Sequence, residues 1–185
     1  MRIRLRPAPT EAELTALYPT PHDHTRWDDH IVRVDVTSAI AVNLVPTGGT
    51  VADLSCGDAA IARRVAAART AKLTLGDYAP GYSIRGPIEE TIERIQRVDL
   101  FICCETLEHV DDPDRLLKAI RAKANAVLLS TPDGEENTDN PEHIWGWDAE
   151  AVQEMIVGAG FTPLLYAGLD LRPGGYLYNF QIWAA

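Results

Sequence analysis

From residue 50 onward, short apolar runs alternate with stretches of helical spacing. Val51–Cys56, Lys72–Gly76, Tyr82–Arg85, Asp99–Cys104, Ala126–Ser130, Phe161–Leu169 and Tyr176–Trp183 read as strands. Between them, Ala59–Ala68, Ile88–Ile95, Pro113–Ala124 and Ala149–Ala159 repeat their apolar residues at the interval of one helix face. Trp27–Leu44 does the same through Ile31, Val34, Ala41 and Val42, until Pro46–Thr50 (PTGGT) breaks it. Apolar strands separated by helices must be covered on both faces, which predicts an α/β fold, a doubly wound and mostly parallel sheet of seven strands. The last connection departs from this rule. Gly174-Gly175 leaves no room for a crossover helix between the final two strands, so the terminal strand is expected to run antiparallel.

Length and composition bound the rest. A chain of 185 residues suits one domain, with residues 1–45 as an arm and helix packed on the body formed by 46–185 and able to serve as a lid. Acidic residues outnumber basic ones, 27 to 17, for a formal charge of −10. The only lysines are Lys72, Lys118 and Lys123, and no dense basic cluster exists, so nucleic acid and anionic membranes are disfavoured partners. No apolar run approaches the roughly 20 residues of a membrane span, and the opening segment lacks the apolar stretch of a secretory signal. Cys56, Cys103 and Cys104 form neither a disulfide framework nor a zinc spacing, which points to a reducing, cytoplasmic setting. Adjacent strand residues face opposite ways, so Cys103 and Cys104 are expected as separate buried thiols rather than one site. The pattern does not fix an oligomeric state.

Two segments carry ligand chemistry. Thr50–Ala66 (TVADLSCGDAAIARRVA) is a strand ending in a small-residue turn that opens a helix, the usual ligand position in an open α/β sheet. Small residues let a ligand approach the backbone, the N–H groups at the helix start favour an anion, and Asp53 can orient the turn or accept from an ammonium group. In LTLGDYAP, Asp77 ends the next strand, 20 residues after Gly57, where a carboxylate can accept from both hydroxyls of a ribose. An ordinary strand-turn-helix with surface acids is the plain alternative for either segment alone; the pair, side by side on parallel strands, is more telling.

In order and spacing, DLSCG, GDYAP, DLFICCETLEHVDDPDRLL and VLLSTPDG resemble the class I S-adenosylmethionine-dependent methyltransferases, over the chain from Val51 to its end. The resemblance implies a terminal antiparallel strand, S-adenosylmethionine as cofactor and methyl transfer as activity. It places Asp53, Ser55, Cys56 and Gly57 around the methionine end of the cofactor and Asp77 at the ribose. Cys103 and Glu105 would close the methionine side, and Ile88 would offer apolar contact to the adenine. Three positions depart from the family pattern. Ser55 stands for a usual glycine, with Ala59 or Ala60 for the last one; few residues separate Asp77 from the third strand; and Pro87 occupies the place of an adenine-binding acid.

Acceptor chemistry falls to ETLEHV and NPEHIWGW. A helical turn after the fourth strand would set Glu105, Glu108 and His109 on one face, and His143 follows the fifth strand on a loop over the same edge. His109 or His143 would act as general base or orient the acceptor, with Glu105 and Glu108 shaping the site, for a small molecule methylated on oxygen or nitrogen. The same four residues, with Thr131-Pro132-Asp133 and Trp147 four residues after His143, are similar to the small-RNA 3′-terminal 2′-O-methyltransferases. That similarity implies an alternative, a divalent metal held by Glu105, Glu108, His109 and His143 that acidifies a ribose hydroxyl of RNA or a nucleoside. A further alternative is a non-catalytic cofactor-binding or partner subunit. In the arm, HDHTRWDDH brings His22, His24, Arg26, Trp27 and His30; HxH suggests a metal fragment without a third ligand at a matching spacing, and Trp27 or Arg26 can cover the cofactor. A solvated helix start at Asp28 and Asp29 is the plainer reading of that segment. Trp145, Trp147 and Tyr176 either line an acceptor pocket or are packing.

Overall fold

The computed structural model describes residues 1–134, 140–174 and 179–185. In chain order its elements are β1 (Arg2–Arg4), α1 (Glu11–Leu17), α2 (Asp28–Ala41), β2 (Thr50–Asp53), α3 (Ala60–Arg69), β3 (Lys72–Asp77), β4 (Ile84–Arg85) and α4 (Ile88–Thr91). There follow β5 (Val98–Cys104), α5 (Pro113–Lys123), β6 (Ala124–Pro132), β7 (Trp145–Trp147), α6 (Ala149–Gly158), β8 (Leu165–Asp170) and β9 (Asn179–Ala184). Seven strands form one sheet in the order β4-β3-β2-β5-β6-β9-β8. The first five are parallel to their neighbours, and β9 slots between β6 and β8 antiparallel to both. The expected doubly wound sheet with its antiparallel terminal strand is therefore present, although Gly175 and Tyr176 lie outside the described residues.

The period-two burial of β5 explains why both faces need cover. Leu100, Ile102 and Cys104 pack with Val34 and Ala41 of α2 and with Ile61, Ala62 and Val65 of α3. Phe101 and Cys103 point the other way, into a layer with Ile88, Leu116, Leu117, Ile120, Val152 and Ile156 from α4, α5 and α6. The two adjacent thiols thus belong to opposite layers, as alternation requires. The Pro113–Ala124 segment is covering helix: Asp112 caps it by accepting from Arg115 N at 3.0 Å, Pro113 sits in its first turn, and it buries Leu116, Leu117 and Ile120.

Two features of the amino-terminal segment were not expected. β1 pairs antiparallel with β7, Arg2 opposite Trp147 and Arg4 opposite Trp145, and the Arg2 guanidinium lies 4.4 Å over the Trp145 ring. α1 is capped by a reciprocal box in which Thr10 Oγ1 accepts from Glu13 N while Glu13 accepts from Thr10 N. Between β3 and β4 there is no helix among the described residues, only bends and turns over 78–83, in keeping with the short spacing in the sequence. No described helix is long and apolar enough to cross a membrane.

Candidate functional site

The site gathers at the carboxyl ends of β2, β3, β5 and β6, where the parallel strand order reverses direction. After β2 the chain turns tightly, with Gly57 at φ 53° and Ala59 at φ 60°, a left-handed bend that glycine tolerates and alanine enters at some cost. Three bonds hold this turn. Gly57 N donates to Asp77 Oδ2 at 2.8 Å, Cys56 N donates to Gly76 O at 3.2 Å, and Ser55 Oγ and Thr106 Oγ1 stand 2.7 Å apart. Asp58 Oδ1 takes the Ala60 N–H at 3.0 Å, so the start of α3 is partly satisfied from within the turn, by a residue that the sequence pattern did not single out.

Asp53 and Asp77 are poised differently. Asp53 is only 5% exposed and accepts Ser55 N at 3.4 Å. Burial pushes its pKa up to about 8, against the weaker pull of that N–H. Asp77, at the end of β3, accepts from Gly57 N through one oxygen and from Ala79 N at 2.8 Å through the other. Burial raises its pKa while these N–H groups hold it down. A carboxylate has about four acceptor positions, so two hydroxyls can still be received. Ile88, at the start of α4, is buried in the layer below and offers only hydrocarbon.

The acceptor side differs from expectation in one respect. No helical face carries Glu105, Glu108 and His109 together. Glu105 takes a left-handed conformation, φ 49°, and only a single tight turn, Leu107–His109, follows it. That step sends Glu105 towards α2: its Oε1 accepts from Ser130 Oγ at 2.8 Å and lies 3.9 Å from Nε of the fully buried Arg33. Glu108 goes the opposite way and meets His109 and His143, with one donor atom from each lying within 4.8 Å of the others. The expected four-residue set therefore reduces to three, and Glu105 belongs to the Arg33 network. Cys103, expected beside the cofactor, has its thiol wholly buried in the α4–α6 layer.

Within the triad, polar partners fix orientation. His109 Nδ1 lies 3.0 Å from Glu142 O, so it carries the proton and leaves Nε2 as an acceptor, 3.8 Å from Glu108 Oε1. Burial drives the His109 pKa down to about 3, which keeps the ring neutral. Asn140 Nδ2 lies 3.0 Å from His143 Nε2, and the two histidine rings meet edge to face at 4.9 Å. Glu108 is 1% exposed and receives Thr131 Oγ1 at 3.0 Å, while Thr131 Oγ1 in turn receives Trp147 Nε1 at 3.0 Å. Its other oxygen is buried without a hydrogen-bond partner, and burial raises its pKa. Trp147 is thus fully buried and holds Thr131, and Trp145 packs with its Nε1 donating to Val110 O. Tyr176 lies outside the described residues.

The arm closes over both halves. His22 O accepts from Asp58 N at 2.9 Å, which lays residues 22–24 against the turn. Tyr18 stands between the two sides: its hydroxyl donates to Glu142 Oε2 at 3.1 Å and lies 3.4 Å from His109 Nδ1, and its ring meets Tyr78 edge-on. Sequence offered no signal for Tyr18, because its contacts come from how the arm folds back rather than from spacing. Trp27, proposed as a cover, stacks on His22 at 5.5 Å and is 43% exposed, with Arg26 over its ring. The helix start is not fully solvated either, since Asp29 is buried. His30, which no sequence spacing joined to the HxH pair, converges with His22 and His24.

No protein-family model and no curated relative matches this sequence. Solved structures do match in fold. The 4+2 cyclase SpnF superposes with a TM-score of 0.70 at 13% identity, over 97% of this chain and 96% of that one. The 1,6-didemethyltoxoflavin-N1-methyltransferase of Burkholderia thailandensis, solved with its substrate and S-adenosylhomocysteine, gives 0.65 at 18% identity, over 100% and 93%. An S-adenosylmethionine-dependent methyltransferase of Leishmania major gives 0.67 at 13% identity, over 85% and 73%. The chain has the fold of the class I S-adenosylmethionine-dependent methyltransferases.

The buried acid at position 53 sets a pH signature. Its native pKa, about 8, lies above the ordinary 3.8, so the native state holds a proton that the unfolded chain releases. Stability from this group is full below the unfolded value and lost as pH rises towards 8. The depressed histidines act with the opposite sign, below their ordinary 6.5, and cancel in a difference between variants. Asp53→Asn is therefore expected to gain melting temperature relative to the wild type progressively between pH 4 and pH 8. Thermal melts across that window check it, and a pH-independent difference would contradict it.

Proposed function

We propose that this protein is an S-adenosylmethionine-dependent methyltransferase acting on an oxygen or nitrogen of a small molecule. The observation that carries the reading is the Asp77–Gly57 hydrogen bond, which sets a ribose-binding carboxylate beside a small-residue turn at the sheet's switch point. The donor and acceptor set around it suits this cofactor. Asp77 retains acceptor positions for two hydroxyls, while Cys56 and Gly57 lie buried under His22 and His24 of the arm, which has to move aside for a ligand to reach that backbone. Asp53 is a buried, protonated acid that ionises when an ammonium group arrives beside it. When bound, the cofactor supplies an electrophilic methyl group on a sulfonium.

On the acceptor side, the chain's own groups orient the nucleophile and accept its proton. Close positioning supplies much of the rate in such a displacement. The low pKa of His109 makes it a poor proton acceptor at neutral pH, so its Nε2 serves as a hydrogen-bond acceptor that aims an O–H or N–H. Glu108, raised by burial and steadied by Thr131, is better matched to take the proton, and His143 lies against it. Tyr18 and Glu142 would close the wall from the arm side. A small, uncharged or cationic acceptor suits a chain with a net charge of −10 better than a polyanion does.

One observation favours a second reading. A buried Glu108 oxygen without a hydrogen-bond partner, next to the neutral His109 and to His143, is also a donor set for a divalent cation. Glu108, His109 and His143 would hold it, and it would acidify a bound hydroxyl, as in metal-assisted 2′-O-methylation.

Calorimetric titration with S-adenosylhomocysteine tests the cofactor half. Micromolar binding is expected, weakened about tenfold or more in Asp77→Ala by the loss of charge-assisted hydrogen bonds; unchanged affinity in the variant would refute the assignment. Turnover separates the two acceptor readings once a substrate is found by screening. Glu108→Gln is expected to lower kcat by about a hundredfold in either case. Chelator-insensitive turnover supports the metal-free reading, and loss of activity in chelator with recovery on adding a divalent ion supports the second.

A further inference from the structure

The arm lies where the proposed cofactor has to go, and acceptors of its own hold it there. His22 O accepts from Asp58 N at 2.9 Å, and His24 Nδ1 accepts from Arg33 Nη2 at 3.2 Å. Both residues press directly on the turn after β2: a Cβ placed on Gly57 would stand 2.7 Å from His22 O and 2.9 Å from His24 Nε2. The His24 ring is 8% exposed and spans the gap between that glycine and the guanidinium. Its Nε2 edge faces the Cys56 backbone and lies 3.9 Å from Asp58 Oδ1. Burial and the Arg33 charge press its pKa down to about 3, so the ring is neutral and able to accept. Arg33 needs such a partner. It is fully buried, and its Nε has no hydrogen-bond partner. The carboxylate facing it, Glu105, stands with Oε1 3.9 Å away and already receives Ser130 Oγ. A cation this deep persists only with acceptors around it.

A ligand that displaces the arm frees two donors at once, the Asp58 N–H and one Arg33 N–H, and both suit an anion. The cofactor read from Asp77 and Asp53 carries one, since its amino-acid end pairs an ammonium group with a carboxylate. We propose that residues 22–24 are a plug in the seat of that amino-acid end, with the His24 imidazole standing where the carboxylate meets Arg33, and that Arg33 takes the carboxylate once the arm withdraws. The inference rests on the cofactor reading and adds to it a binding residue and a competition. A lid packs on a ligand and tightens its binding. This segment fills the ligand's own space and weakens binding, because apparent affinity is scaled by the fraction of molecules whose arm is open. His24 also accounts for a guanidinium that stays buried before any ligand arrives: it supplies the acceptor that the carboxylate later replaces. Arg33 keeps Ser130 Oγ, at 3.3 Å, in either state. The Asp58 carboxylate is engaged with the Ala60 N–H at 3.0 Å, at the start of α3, where the helix dipole offsets its charge.

Calorimetric titration of the full chain reads the competition. His24→Ala removes one bond of the closed arm, so S-adenosylhomocysteine is expected to bind the variant about fivefold more tightly than the wild type. 5′-Methylthioadenosine, which has the sugar and base but no amino-acid end, is expected to bind both proteins alike. The decarboxylated analogue of S-adenosylhomocysteine keeps the ammonium group and is expected to bind the wild type about tenfold more weakly than its parent, a difference that shrinks in Arg33→Lys. Melting shows that each variant folds, and the analogue comparison on the wild type stands without Arg33→Lys. Hydrogen exchange read by mass spectrometry is expected to quicken over residues 18–27 at saturating ligand. Trp27, which stacks on His22, is expected to change its emission as the arm leaves. The outcomes separate the two readings. Affinity that is unchanged or weaker in His24→Ala, or slower exchange of residues 18–27 with ligand bound, would overturn the plug and leave the cofactor in place. Equal affinity for the decarboxylated analogue would remove Arg33 as the seat of the carboxylate. No binding to either protein would remove the cofactor reading and the plug together.

Discussion

A single carboxylate ties together the carboxyl ends of two parallel strands in this molecule. Asp77 closes β3 and receives the Gly57 N–H from the neighbouring turn, tying the ends of two parallel strands together. Without that acceptor, a turn with left-handed residues at 57 and 59 would have a backbone donor to satisfy some other way. The other oxygen of the same carboxylate accepts from Ala79 N, and in the proposed reading its remaining acceptor positions receive the ribose hydroxyls. The arm is laid across this turn by the bond from the Asp58 N–H to the His22 carbonyl.

Behind the site, a buried polar layer couples the arm, α2 and the sheet. Arg33 is fully buried and reaches Ser130, His24 and the neighbourhood of Glu105 from one guanidinium. Charges this deep persist only when paired and hydrogen-bonded, and removing one partner leaves the other stranded. The left-handed backbone at Glu105 is what turns its carboxylate towards that guanidinium and away from Glu108. The strained step therefore divides two acids three residues apart into two jobs. Glu105 neutralises a buried cation, and Glu108 faces the histidines. The same fold carries a 4+2 cyclase, so these side chains, rather than the topology, have to carry the functional argument.

Much of the architecture was legible because both sheet faces are covered. Runs such as Asp99–Cys104 are apolar throughout, and the helices between them repeat at a different period, so each announced itself. The antiparallel terminal strand followed from a connection too short for a crossover. The β1–β7 ribbon was not legible, because its strands have three residues each and no period can show in so few positions. The Thr10–Glu13 box of α1 is written in the sequence as Thr-x-x-Glu, but the helix it opens has only seven residues and buries none, so no apolar period accompanies the signal. At the site, Glu108, His109 and His143 were legible as a group, whereas the departure of Glu105 depended on a left-handed non-glycine residue that local pattern does not foretell. His30 and Tyr18 join through the fold of the arm, a tertiary event without a spacing signature.

The central claim is spatial: one nucleoside-bearing ligand lies across the turn after β2, with its sugar at Asp77 and its sulfur directed at Glu108, His109 and His143. A crystal structure of the protein with S-adenosylhomocysteine tests it most directly. The account predicts both ribose hydroxyls on the Asp77 carboxylate and the amino-acid end beside Asp53 and Gly57. A structure in which the ligand settles elsewhere, or in which that turn stays empty at saturating concentration, would contradict it.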